Sequence, residues 1–194
     1  MREQLERTRK MNKVKVIALF GKAGSGKDTI LRALVNKFPD RYNEIVSCTT
    51  RPPREGEQEG VNYHFLTVEQ FTEKVLNGDM LEATEFNNWH YGTALSSLST
   101  EKINVGVFNP EGIRCLIEDN FVDLTIYYVR ASDKERLIRQ LNREENPDIQ
   151  EIIRRFSTDE QDFEDLEDID YQVIKNQEAG DLLRAVDLIV GQFC

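Results

Sequence analysis

The chain has 194 residues, 39% of them hydrophobic and 31% charged, with a formal net charge of −10. That length suits one domain able to bury a core without disulfide or metal staples, and no stretch approaches the roughly 20 apolar residues of a membrane span. The acidic balance opposes nucleic acid at long range, so an anionic ligand has to be met by a local group of arginines.

The N-terminal MREQLERTRKMNK is charged and lacks the apolar run of a secretory signal. Cys48, Cys115 and Cys194 are odd in number and form no CxxC pair, a usage that fits reduced structural thiols in the cytoplasm. No nucleic acid or membrane partner is expected, and a homodimer is left open.

Residues 14–20, VKVIALF, are a short β-branched apolar run that ends on glycine, the pattern of a buried parallel strand entering a loop. DTILRALVNKF then reads as a helix. Between them lies Gly21, Lys22, Ala23, Gly24, Ser25, Gly26, Lys27 and Asp28, a GxxxxGK pattern. Glycines at these places let backbone N–H groups turn toward phosphate, the helix start adds its positive dipole end, and Lys27 reaches the outer phosphates. A lysine at a helix start opposes the dipole, so packing alone does not explain it. Asp28 stands where the pattern usually has Ser or Thr to place a hydroxyl on Mg²⁺, and Thr29 follows.

Further apolar runs at EIVSC (44–48), INVGVF (103–108), VDLTIYYV (122–129) and YQVIK (171–175) alternate with helical stretches. They predict an α/β fold, a P-loop core with a central parallel sheet flanked by helices. Two segments interrupt the alternation. One, 50–93, holds YHFL and MLEATEF around the helix-like VEQFTEKVLNG and predicts a small α+β insert. The other, 143–164, begins with the polar REENPDIQ and predicts a helical lid on a mobile connection. The core is then 14–49 and 94–142 with 165–194. TDEQDFEDLEDID reads as a solvated acidic face.

From Ser47 the chain runs SCTTRPPREGEQEGVNYHF, and MLEATEFNNWHYGT follows at 80–93. These segments closely resemble the guanylate kinases, whose acceptor loop follows Ser-x-Thr-Thr-Arg-x-x-Arg-x-Gly-Glu-x-x-Gly-x-x-Tyr-x-Phe. The resemblance spans roughly Val16 to Val190. It implies transfer of the ATP γ-phosphoryl to GMP or dGMP with Mg²⁺. It implies that Arg51, Arg54, Tyr63 and Tyr91 hold the acceptor phosphate, that Ser47, Glu82 and Thr93 read guanine, and that Glu57 supports the loop. The chemistry agrees: paired guanidinium forks suit a phosphate dianion, and guanine's N1–H and 2-amino donors need a carboxylate.

LNREENPDIQEIIRRF resembles the family's lid and places Arg143 and Arg155 at its phosphate-clamping arginines, with Arg154 an alternative to Arg155. Lys27, Arg51, Arg143 and Arg155 form the expected catalytic set. Asn176 matches a residue near the nucleotide base. At INVGVFNPEG the family has an acidic Ile-Asp pair, but here Val107 and Asn109 stand. Asn109 is expected at the guanine amino group with weaker base selection, and carboxylate support for the metal is expected to have moved to Asp28. His64 and His90 read as structural, and Trp89 as packing. A broader nucleoside monophosphate kinase and a non-catalytic guanylate kinase-like binding module are the alternatives; no DxxG or NKxD motif supports a GTPase.

Overall fold

A computed structural model describes residues 13–193 except 55, 87, 144 and 179. Five parallel strands form the central sheet in the order β2-β7-β1-β8-β9. They are β1 (Val14–Phe20), β2 (Tyr42–Glu44), β7 (Ile103–Val107), β8 (Val122–Arg130) and β9 (Gln172–Lys175). A second sheet, in the order β4-β3-β6-β5, contains β3 (Cys48–Thr49), β4 (His64–Phe65), β5 (Met80–Phe86) and β6 (Trp89–Ala94).

The pleat of β1 explains how both faces of the main sheet are covered. Ile17 and Leu19 point to one side, where α1 (Lys27–Lys37) and α6 (Asp181–Gln192) bury Ile30, Leu31, Leu34, Ala185, Val186 and Ile189 against them. Val14, Val16, Ala18 and Phe20 point to the other, under Ile113 and Leu116 of α3 (Pro110–Glu118) and the segment around Ile169. With both faces dry beyond its exposed Lys15, β1 has to be apolar at its other positions, and each fully buried aliphatic side chain contributes roughly 1.5–3 kcal/mol.

α2 (Val68–Leu76) starts on a capping box, in which Thr67 accepts from the Gln70 N–H while the Gln70 side chain accepts from the Thr67 N–H. It packs its buried Phe71 against Cys48 and Ala94 under the second sheet. α4 (Asp133–Leu141) and α5 (Ile149–Asp162) follow β8 and close over the C-terminal end of β1. Among the described residues, no helix is long and apolar enough to cross a membrane.

Two expectations need correction. The run predicted as one strand over 44–48 is divided between the sheets. Ile45 is buried and its N–H still reaches Val105 O at 2.8 Å, but the chain then crosses Val46 and Ser47 to pair Cys48 with His64 and Gly92 in the second sheet. An apolar run looks the same whether it continues a strand or is buried in a crossing. The acidic stretch at 158–170 is also not uniformly solvated. Asp159 is only 5% exposed and accepts from the Arg136 guanidinium and, at 2.8 Å, from the Ala23 N–H.

Candidate active site

At the carboxyl end of β1, beside the point where neighbouring connections run to β7 and β8, the chain makes its glycine loop, the usual ligand position in an open parallel sheet. Gly24 and Gly26 have φ of +79° and +92°. A Cβ on Gly24 would come within 2.7 Å of Arg136 O, and one on Gly26 within 2.3 Å of Asn176 Nδ2, so only glycine fits either place. Gly26 caps α1 without a side-chain hydrogen bond, whereas α2 to α5 each have a side-chain cap. The first N–H groups of α1 are therefore left for an anion.

The loop is fixed from outside. Arg139 donates to Ser25 O at 3.1 Å and to Asn176 O at 2.8 Å, and Asn176 Nδ2 donates to Ser25 O at 2.8 Å. Arg136, 1% exposed, donates through Nε to Ala23 O at 2.9 Å and lies 4.4 Å from the Phe156 ring centroid. Sequence reasoning missed Arg136, Arg139 and Asp159. The two arginines had as signal only a helical spacing of three residues, which also describes an ordinary solvated helix, and Asp159 stood within a run of acidic residues.

Gly21, Ala23, Gly24, Gly26, Lys27, Asp28 and Thr29 line one cleft. Lys22 does not: its Nζ pairs with Glu160 of α5, which ties the loop to that helix. Ser25 is fully buried and its Oγ has no hydrogen-bond partner among the described residues. Like Lys22, the Ser25 side chain does not line the cleft, so the cradle's fit to an anion rests on its glycines and the uncapped first turn of α1. Asp28 is exposed in the first turn of α1, where a carboxylate also complements the dipole. Its oxygens suit a hard cation in the cleft.

The opposite wall carries Arg51, Arg54, Tyr63, Tyr91, Ser47, Glu82 and Asn109. Arg51 is 7% exposed; its guanidinium meets both Glu57 oxygens at 2.9 and 3.0 Å and sits 5.4 Å from the Tyr63 ring centroid. Burial opposes the Glu57 charge, but the Arg54 N–H and the Arg51 fork outweigh it and hold the carboxyl below its ordinary range. Burial, with the Asp28 charge behind it, pushes the Tyr63 hydroxyl up to about 12. Tyr63 is thus a neutral donor at working pH.

Deeper in this wall, Glu82 on β5 faces Thr93 on β6 across the antiparallel ladder. Burial lifts the Glu82 carboxyl to about 7. The buried Thr93 hydroxyl works against that shift but reaches no hydrogen bond of full geometry. Asn109 caps α3: its Oδ1 accepts from the Gly112 N–H at 2.7 Å, and its Nδ2 donates to Thr84 Oγ1 at 3.1 Å. Asn109 is therefore engaged on both ends of its amide, and Thr84 is a cleft residue the sequence did not single out.

α5 and the turn before it bring Arg143, Arg154 and Arg155 to the same cleft. Asn176, expected near a base, is 8% exposed and holds the cradle through the bond to Ser25. Trp89, read as packing, lies 37% exposed on the cleft rim. His64 pairs with Glu59 at 2.9 Å and His90 stacks on Phe71, both structural uses. Cys48 and Cys115 are free thiols, and Cys194 lies outside the described residues. The cleft encloses about 1490 Å³, more than the roughly 300–1,000 Å³ of a single-ligand site. It has room for two nucleotides.

A parallel sheet with a glycine cradle at the end of its central strand, faced by an arginine and tyrosine wall, defines a P-loop nucleotide-binding protein of the kinase type. The family model described as guanylate kinase matches residues 13–192, and the chain belongs to that family. It is 28% identical over 184 residues to a guanylate kinase of Campylobacter jejuni (strain RM1221), covering 92% of this chain and 89% of the relative. It is 38% identical over 135 residues to one of Prochlorococcus marinus (strain MIT 9312), covering 67% and 72%. The crystal structure of guanylate kinase from Anaplasma phagocytophilum superposes with a TM-score of 0.62 at 22% identity, covering 94% of this chain and 86% of that one; it establishes the shared fold.

Proposed function

We propose that the chain transfers the γ-phosphoryl group of ATP to the phosphate of GMP or dGMP, releasing ADP with GDP or dGDP. The observation that carries this reading is the placing of two anion sites, the glycine cradle with Lys27 and the wall of Arg51, Arg54, Tyr63 and Tyr91, across one cleft with the buried Glu82 behind the second. Donor and acceptor phosphates held in that way face each other for in-line transfer.

In this reading the backbone of 21–28 and Lys27 hold the ATP phosphates. Arg51, fixed by Glu57, and Arg54 bind the acceptor phosphate, with the Tyr63 and Tyr91 hydroxyls as neutral donors. Glu82 accepts from the guanine N1–H and amino group, while Ser47 and Thr93 supply hydroxyls toward the remaining edge. Asn109, already engaged with Gly112 and Thr84, orients Thr84 and the start of α3 beside Glu82. Arg143 and Arg155 bring positive charge to the transferred group and, with α5, exclude water. Asn176 positions the cradle on the base side of the nucleotide.

Residues 50–93 are thus the acceptor region and 143–164 the lid on a core of 14–49, 94–142 and 165–194. The free thiols Cys48 and Cys115 suit a reducing compartment, and we assign the enzyme to the cytoplasm. Lys27, Arg143 and Arg155 on the cleft argue against a binding-only module. A coupled ADP-release assay with GMP, dGMP, AMP, dTMP and CMP tests the acceptor. Turnover is expected with the guanine nucleotides, and its absence with both of them overturns the assignment.

Mg²⁺ bound with ATP neutralises charge on the phosphate oxygens. We assign Asp28 to hold it, directly or through a water. Asp28→Ala is expected to weaken Mg²⁺-dependent ATP binding about tenfold in calorimetry, with metal-free ATP binding unchanged. An unaltered Mg²⁺ titration removes Asp28 from this role.

A further inference from the structure

Glu151, in the first turn of α5, gathers three arginines from two separate parts of the chain. Its Oε2 accepts from Arg154 Nε at 2.6 Å; its Oε1 accepts from Arg154 Nη2 and Arg155 Nε, both at 2.9 Å, and from Arg54 Nη2 at 3.3 Å. Hydrogen bonds from Arg154 and then Arg155 outweigh its partial burial and hold the carboxyl at about 2. It is therefore a fixed negative charge at any working pH. Arg54 is under the opposite pressure, since burial and the charges of Arg155 and Arg51 all disfavour its protonated form.

Charge at this point is unbalanced. Arg51 has its own partner in Glu57, which leaves Arg54, Arg154 and Arg155 sharing one carboxylate. The surplus of about two positive charges matches a phosphate monoester, which carries roughly −1.5 to −2 at neutral pH. The four contacts also differ in strength. Arg154 forms a two-pronged fork within one helix, and Arg155 pairs within the same helix at i,i+4. Arg54 is joined by a single longer bond across the gap between the acceptor loop and α5.

We propose that Glu151 is a positioning residue that competes with the acceptor's phosphate for Arg54. Without acceptor, the carboxylate offsets the repulsion among the arginines and holds α5 beside the acceptor loop. An arriving phosphate takes the weakest of its contacts, Arg54, and Glu151 keeps Arg154 and Arg155 aimed into the cleft. Acceptor affinity is lowered by that competition, and the lid helix is linked to acceptor occupancy through one side chain. This inference rests on the assignment of Arg54 to the acceptor phosphate.

The test is calorimetric binding of GMP in the absence of ATP. Glu151→Gln removes the charge and Glu151→Asp keeps it while shortening its reach to Arg54; both are expected to bind GMP about fivefold tighter than the wild type. Steady-state turnover of Glu151→Gln is expected to show a lower acceptor KM together with a lower kcat, because Arg155 loses its anchor; a merely structural defect would not lower KM. Glu69→Gln, an equal charge change on the exposed face of α2, is expected to leave GMP affinity unaltered. Unchanged or weaker GMP binding by both Glu151 variants, or equal tightening by Glu69→Gln, overturns the inference alone. Wild-type protein that fails to bind GMP overturns the acceptor assignment and this inference with it.

Discussion

Lys27→Ala is expected to lower kcat by about 10²–10³ while GMP binding measured without ATP stays within about twofold. Lys27 opens α1 directly after the left-handed Gly26, and its ammonium is one of the groups, behind Arg136 and the Ala23 N–H, that oppose the rise which burial imposes on the Asp159 carboxyl of α5. A charge-assisted hydrogen bond contributes roughly 1.5–3 kcal/mol in a ground state. The terminal phosphate oxygens change charge during transfer, so a cation held by the helix frame contributes more in the transition state. The fold should tolerate the change: Lys27 is half-buried at the cleft, and Ala is a good helix former. Single-turnover kinetics with thermal melts of both proteins separates the effects. Turnover within threefold of wild type would remove Lys27 from the transfer step.

The cradle was legible in the sequence because its geometry leaves few chemical choices. Positive φ angles and contacts below 3 Å at Gly24 and Gly26 exclude every side chain, and the adjacent lysine has no packing reason to be there. β1 was legible for a similar reason, since it is covered on both faces and apolar at every position except the exposed Lys15, and β8 keeps apolar residues where it is buried and carries Asp123 and Arg130 where it is exposed. The division of residues 44–48 between two sheets was not, because burial and strand pairing place the same demand on composition. Asp159 was hidden for the opposite reason. Its neighbours Glu160, Glu164, Asp165 and Glu167 are solvated acids, and only the fold brings the buried Arg136 beside it. The same holds for Glu151, whose partner Arg54 lies 97 residues away in sequence. The acceptor wall was legible as a set of residues, but which arginine is fixed by Glu57 and which is shared with the lid is a property of tertiary contact.

Glu82 makes the strongest pH prediction. Its folded carboxyl titrates at about 7, against 4.5 for an unhindered glutamate, with burial the cause. A carboxyl raised on folding binds its proton more tightly in the native state, so the free protein is favoured at low pH and loses stability as pH rises from about 4.5 through 7. A shift of that size corresponds to about 3 kcal/mol by pH 8, from roughly 1.4 kcal/mol per unit. Glu82→Gln removes the titration, so the free variant is expected to match the wild type near pH 4 and to exceed its stability by about 2–3 kcal/mol at pH 8, read from urea midpoints.

Guanine reverses the balance. Its N1–H and amino donors pair with the ionised carboxylate, so a proton on Glu82 competes with the base. Wild-type affinity for GMP is expected to fall about tenfold per pH unit below 7 from this group, beyond any loss shared with Glu82→Gln. That variant is expected to bind GMP at least 10²-fold more weakly at pH 8, because an amide offers one acceptor oxygen and a donor that opposes those of guanine. A stability that favours the protonated carboxyl and a ligand that requires the ionised one together describe a side chain kept strained for recognition. If Glu82→Gln is no more stable than wild type at pH 8 and the two proteins share one pH profile for GMP, Glu82 is not the group that reads the base.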